Sequence, residues 1–165
     1  MAALTPAVGK SVAVNEGART DLHCRHSYAQ GSAVRCVIVD DSPNFLEVAR
    51  SLLEREGITV VAEAWTGAEA LRLVDELRPD VTLVDINLGG ESGFELAERL
   101  HWHARAALVP VIMISAYAEQ DIAEGIAASA AVGYIYKSSL SPDAIRDLLP
   151  GRGDHYNADP FTVLC

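Results

Sequence analysis

The sequence predicts a doubly wound α/β fold, with five parallel strands in one sheet and helices on both faces. Three observations predict it. Short apolar runs alternate with segments of helical period between residues 34 and 149. The runs are apolar on nearly every position, as in strands covered on both faces rather than one. Turn and cap residues separate each run from the helical segment that follows, which is the alternation that builds a parallel sheet.

The first strand is Cys36-Val37-Ile38-Val39, ending in Asp40-Asp41. Ser42-Pro43 then opens a helix in which Phe45, Val48, Ala49, Leu52 and Leu53 recur at helical spacing, and Gly57 stops it. Thr59 to Ala64 is the second strand, and Thr66-Gly67-Ala68-Glu69 reads as a capping box before a helix carrying Leu71, Val74 and Leu77. Pro79 breaks the chain, and Val81-Thr82-Leu83-Val84 runs into Asp85 as the third strand. A loop rich in glycine (Gly89, Gly90, Gly93) leads to a helix with Phe94, Leu96, Ala97 and Leu100. Val109 to Ile114 is the fourth strand, with Ile112 and Met113 in its core, and it ends at Ser115. A Glu- and Ala-rich helix follows with Ile122 and Ile126 on one face. Gly133 to Tyr136 is the fifth strand, ending at Lys137, and Ser141-Pro142-Asp143 opens a last short helix with Ile145, Leu148 and Leu149.

Composition bounds the function. A chain of 165 residues suits one domain, and 50% hydrophobic with 22% charged residues is a globular balance. Residues 1–33 are expected to be a disordered leader, 34–149 the folded domain and 150–165 a short tail. The net charge of −10 falls wholly in 34–149, which hold 9 basic and 19 acidic residues. That balance argues against direct nucleic-acid binding, since phosphates need Lys and Arg. The longest uncharged stretch, Ala106 to Ala118, has 13 residues and contains Pro110, too short to span a bilayer. With no secretory signal pattern and three widely spaced cysteines, the expected location is the cytoplasm.

Right-handed crossovers bring the carboxyl ends of parallel strands to one edge, so Asp40, Asp41, Asp85, Ser115 and Lys137 are expected to converge there. Crowded carboxylates call for a hard divalent cation. Mg2+ suits oxygen ligands and keeps positions open for a phosphate. An ammonium and a hydroxyl beside them would serve phosphate oxygens, which together suits phosphoryl transfer onto a carboxylate.

The spacings from Asp41 to Asp85 (44), Asp85 to Ser115 (30) and Ser115 to Lys137 (22) resemble those of the receiver domain of bacterial two-component response regulators, over residues 34–149. The resemblance implies a flavodoxin-like sheet of order 2-1-3-4-5. It also implies Asp85 as phosphoacceptor, attacking a phosphohistidine on a sensor histidine kinase or phosphotransfer protein. Asp41 and Asp85 would ligate Mg2+, Asn87 would add its backbone carbonyl, and Asp40 would act largely through a bound water. Lys137 would bridge to the phosphate, while Ser115 and Tyr134 would form the switch that repacks the surface of helix four, strand five and helix five. That surface would meet a downstream protein target and serves many relatives for homodimerisation. Two departures stand out. Lys137 is followed by Ser138 where many members have proline after a cis bond, and a cis bond before a non-proline costs about 2.5–4 kcal/mol. Gly89 stands where many members have proline, which predicts a more flexible loop.

The expected function is a stand-alone receiver, a stoichiometric phosphoacceptor with intrinsic autodephosphorylation rather than an enzyme. Alternatives are a truncated DNA-binding regulator, a phosphorylation-independent interaction module, and a phosphohydrolase, against which Asn87 stands where such enzymes carry a second aspartate. His23-Cys24-His26 fits no ordinary zinc spacing. Arg152-Gly153-Asp154 is a chance tripeptide, His101 and His103 flank Trp102 at a solvated helix end, and Cys36 is a core thiol.

Overall fold

The computed structural model describes residues 33–103, 109–117 and 122–150. All but the last residue of the expected leader lies outside these, as does the expected tail after its first residue. His23-Cys24-His26 and Arg152-Gly153-Asp154 fall outside the described residues too.

Five parallel strands form one sheet: β1 (Val34–Val39), β2 (Ile58–Ala64), β3 (Val81–Asp85), β6 (Val111–Ser115) and β7 (Gly133–Tyr136). Between β3 and the third helix the chain makes a small antiparallel hairpin of β4 (Asn87–Leu88) and β5 (Glu91–Ser92). The sheet order is β2-β1-β3-β6-β7, which is the expected 2-1-3-4-5 once the hairpin strands are set aside. Helices α1 (Pro43–Arg55) and α5 (Pro142–Leu148) cover one face; α2 (Gly67–Leu77), α3 (Gly93–Trp102) and α4 (Ala123–Ala128) cover the other.

Alternate strand residues feed the two cores. Cys36 and Ile38 of β1 pack with Leu46, Ala49 and Leu53 of α1 and with Ile145 of α5. Val37 and Val39 pack with Val74 of α2 and with Leu96, Ala97 and Leu100 of α3. Burying each Leu, Ile or Val fully contributes about 1.5–3 kcal/mol, so both helical layers are held by the sheet between them. Ile112 and Met113 are fully buried, and Cys36 is a core thiol whose pKa burial pushes up to about 12.

Four side-chain caps fix where helices begin. Ser42, Thr66, Ser92 and Ser141 accept from the backbone N–H groups of Phe45 (3.4 Å), Glu69 (3.2 Å), Glu95 (3.4 Å) and Ala144 (3.2 Å). Each is worth about 1 kcal/mol. The capping box at Thr66 is a variant, because the Glu69 carboxylate accepts from the N–H of Trp65 (3.0 Å) rather than from that of Thr66.

Several sequence expectations are corrected. Val48 is 66% exposed, and the buried row of α1 is Leu46, Ala49 and Leu53, since Val48 lies about 100° around the helix from Ala49. The fourth strand begins at Val111, not Val109. Pro110 has no N–H to enter the ladder, although its carbonyl accepts from Thr82 N–H (3.0 Å). The glycine-rich segment forms a tight hairpin between β4 and β5. Gly89 (φ +54°) and Gly90 (φ +97°) are both left-handed, as a two-residue type I′ turn demands and as proline could not be.

Thr82 is the polar exception in the sheet interior. It is fully buried between Val37 and Val111, and among the described residues its hydroxyl has no hydrogen-bond partner. Thr82→Val keeps the shape and removes that unpaired group, so it is expected to stabilise the fold by about 1 kcal/mol in denaturant unfolding. A loss of stability would show that the hydroxyl is satisfied.

Candidate functional site

The carboxyl ends of the sheet strands form the site. Asp40 follows β1 directly, and its N–H donates to Ala64 O of β2 (3.0 Å), so the residue stays in the ladder and is wholly buried. Its Oδ1 accepts from Ser42 N–H (2.9 Å), an Asx-type turn that swings the chain into α1. Asp41 lies inside that turn and is exposed. Asp85 ends β3 and is 7% exposed, and the backbone N–H of Asn87 lies on the side of its carboxylate, where it favours the charged form. One oxygen from each of Asp40, Asp41 and Asp85 lies within 4.8 Å of the others.

Lys137 supplies the opposing charge. It follows β7 and opens a single 3-10 turn, Lys137–Ser139. Its Nζ lies 2.6 Å from Asp40 Oδ2 and 3.2 Å from Asp85 Oδ2. Among the described residues every peptide is trans, Lys137-Ser138 included, so Lys137 reaches both carboxylates without a cis bond.

Burial raises the Asp85 pKa above the ordinary carboxylate value. The Lys137 ammonium pulls it back down, and Asp40 pushes it further up. Three carboxylates facing one ammonium leave an excess of negative charge, and every donor in the set is a hard oxygen. That chemistry fits Mg2+.

Ser115 and Tyr134 meet at one loop residue. Ser115, almost fully buried at the end of β6, accepts on Oγ from Tyr117 N–H (2.9 Å). The Tyr134 hydroxyl donates to Tyr117 O (2.8 Å) and its ring is buried. The two expected switch residues therefore hold the same residue by its N–H and its carbonyl. Asn87 stands on the first rung of the hairpin, paired with Ser92.

Sequence reasoning missed two neighbours. Gly93 was read as loop, but its N–H donates to Ile86 O (2.8 Å), and a Cβ there would run into the backbone carbonyl of Asp85. Phe45 belongs to the apolar pattern of the first helix, yet its ring also lies under the Lys137 ammonium, 4.4 Å from Nζ to centroid. The only signal for Phe45 was its place three residues after the Ser42 cap. Elsewhere, His101 and His103 are exposed at the end of α3, as expected.

Residues 36–149 match the response regulator receiver domain, and the chain belongs to that family. The transcriptional regulatory protein PdtaR of Mycobacterium tuberculosis is 27% identical over 116 residues, 70% of this chain and 53% of that protein. The probable transcriptional regulatory protein NarL of the same organism is 34% identical over 126 residues, 74% of this chain and 56% of that protein. The chain thus spans about half the length of these curated relatives. Among solved structures, the receiver domain of the putative regulator NarL from M. tuberculosis superposes with a TM-score of 0.63 at 33% identity, covering 72% of this chain and 98% of that one. A CheY-like receiver domain from Methanospirillum hungatei gives 0.60 at 29% identity, covering 71% and 91%. Receiver domains are the phosphoacceptor modules of two-component signalling; they interact with histidine kinases or phosphotransfer proteins and bind Mg2+ at an acidic pocket. Among the described residues no helix is long and apolar enough to cross a membrane.

Because burial raises the Asp85 pKa, the ionised carboxylate costs stability at neutral pH. The favourable contribution of its protonated form is complete below the unfolded-state value and lost as pH rises through the folded-state value. In a metal-free buffer at pH 7, Asp85→Asn is expected to melt several degrees higher than the wild type. The gap should narrow as pH falls through the raised pKa of Asp85. A lower melting temperature for Asp85→Asn at pH 7 would overturn this.

Proposed function

We propose that this chain takes a phosphoryl group onto Asp85 from the phosphohistidine of a sensor histidine kinase or phosphotransfer protein, and signals through a switched protein surface. One observation supports the reading above the others: the Lys137 ammonium bridges Asp40 and Asp85 while the Asp41 carboxylate stands within the same cluster. A carboxylate so placed is a nucleophile with its counter-charge already positioned.

In the transfer, an Asp85 carboxylate oxygen forms a bond to phosphorus as the bond from phosphorus to the imidazole nitrogen breaks. The electron pair leaves with the imidazole, and Asp85 becomes an acyl phosphate. Lys137 meets one phosphate oxygen and the Ser115 hydroxyl donates to another. Asp41, Asp85 and the backbone carbonyl of Asn87, with Asp40 in support, would hold Mg2+. When bound, the ion neutralises charge on the phosphoryl oxygens. Ser115 and Tyr134 share Tyr117, so a hydroxyl drawn to the phosphate would release the Tyr117 N–H and disturb the turn that Tyr134 holds from β7. The group is lost by hydrolysis, and the chain acts as a stoichiometric acceptor more than as an enzyme. A histidine kinase draws its phosphoryl group from ATP, which sets the proposed reaction in the cytoplasm.

The strongly acidic domain favours a protein target over direct contact with nucleic acid. The names of PdtaR and NarL as transcriptional regulatory proteins favour a second reading, in which the receiver governs transcription. A phosphorylation-dependent mobility shift of promoter DNA by the protein as it occurs in its host would select the second reading.

Incubation with acetyl phosphate and Mg2+ is expected to add about 80 Da to the wild-type protein, one phosphoryl group. Asp85→Ala should gain nothing, and chelating the metal should suppress the adduct in the wild type. An adduct persisting on Asp85→Ala would place the acceptor elsewhere. A partner that binds equally well before and after phosphorylation would identify an interaction module instead of a switch.

A further inference from the structure

Lys137 is a long, flexible side chain that has to present its ammonium at one place. Two of its contacts are ionic, at 2.6 Å to Asp40 and 3.2 Å to Asp85. The third is not: Nζ lies 4.4 Å from the ring centroid of Phe45. The negative face of an aromatic ring attracts a cation at this range, and more strongly when water is partly excluded, as it is around a lysine only 18% exposed. Phe45 is itself well fixed. Its ring is half-buried against the core under α1 and α5, and its N–H is capped by Ser42, whose own N–H is bonded to Asp40. The element that carries the ring is therefore tied to the acidic cluster the ammonium serves.

We propose that Phe45 is a positioning residue for Lys137, its ring face holding the ammonium in place beside Asp85. This deepens the phosphoacceptor reading and rests on it. The ring does what the carboxylates cannot. When Asp85 becomes an acyl phosphate, one ionic partner of Lys137 is replaced by another, whereas the attraction to the ring is unchanged. The ammonium then passes from carboxylate to phosphate oxygen without a new search through its rotamers.

The test separates ring charge from ring size. Phenylalanines carrying one, two and three ring fluorines are placed at position 45 of the full chain, which drains the negative face while keeping the shape. The rate of phosphorylation by acetyl phosphate with Mg2+ is expected to fall stepwise, by about three- to tenfold across the series. In proton NMR of the unphosphorylated wild type, the Lys137 ε-methylene should be shifted upfield by the ring and should return to its ordinary position in Phe45→Leu. A flat series, or a Lys137 signal that does not respond to Phe45→Leu, would overturn the proposal and leave Phe45 as core filling. If the wild type itself gains no phosphoryl group, the phosphoacceptor reading fails instead.

Discussion

Like charges confined at the end of a parallel sheet are the constraint on which the rest of this structure depends. Asp40, Asp41 and Asp85 come from two strand ends that pair side by side, and their carboxylate oxygens sit within 4.8 Å of one another. Such crowding is unfavourable unless a cation compensates, and the penalty grows as water is excluded. Lys137 offsets part of it. The residual negative charge suits a hard cation, and in the proposed reaction that cation would serve the phosphoryl group. Burial is the main reason that the Asp85 pKa stays raised even with an ammonium beside it, and the charge of Asp40 adds to it.

The surroundings of Asp85 are built from backbone as much as from side chains. The Asn87 N–H points to its carboxylate, Gly93 packs on its carbonyl, and a tight glycine turn closes the hairpin between them. That hairpin turns the chain back at once, so α3 begins directly against the strand end instead of after a long loop. On the opposite side, Asp40 joins β1 to α1 through Ser42, and α1 delivers Phe45 to Lys137. The ends of β1 and β3 are thus locked to the helices that follow them, which holds their side chains in register better than a free loop does.

Much of this was legible in the residue pattern. Apolar runs with no polar alternation gave buried parallel strands, and Ser42-Pro43, Thr66 with Glu69, and Ser141-Pro142 gave three helix starts to the residue. The acidic and basic residues closing the runs gave the site, because a parallel sheet leaves no choice about which edge they share. The misreadings have local causes. Val48 fits an apolar helical spacing, but only tertiary packing decides which side of α1 faces the sheet. Val109 and Pro110 extend an apolar run, yet proline cannot donate to a ladder. Glycines at 89, 90 and 93 suggest looseness from composition, whereas two of them satisfy a turn and the third a close approach.

What the sequence determined by itself is therefore one-dimensional: where elements begin, which residues end the strands, and the charge they bring. What only the tertiary structure decided is who touches whom across elements. The sharing of Tyr117 between Ser115 and Tyr134, the span of Lys137 from Asp40 to Asp85, and the ring of Phe45 beneath its ammonium all join residues from different elements. Those contacts depend on strand register and on helix rotation about its own axis, and neither is written in local spacing.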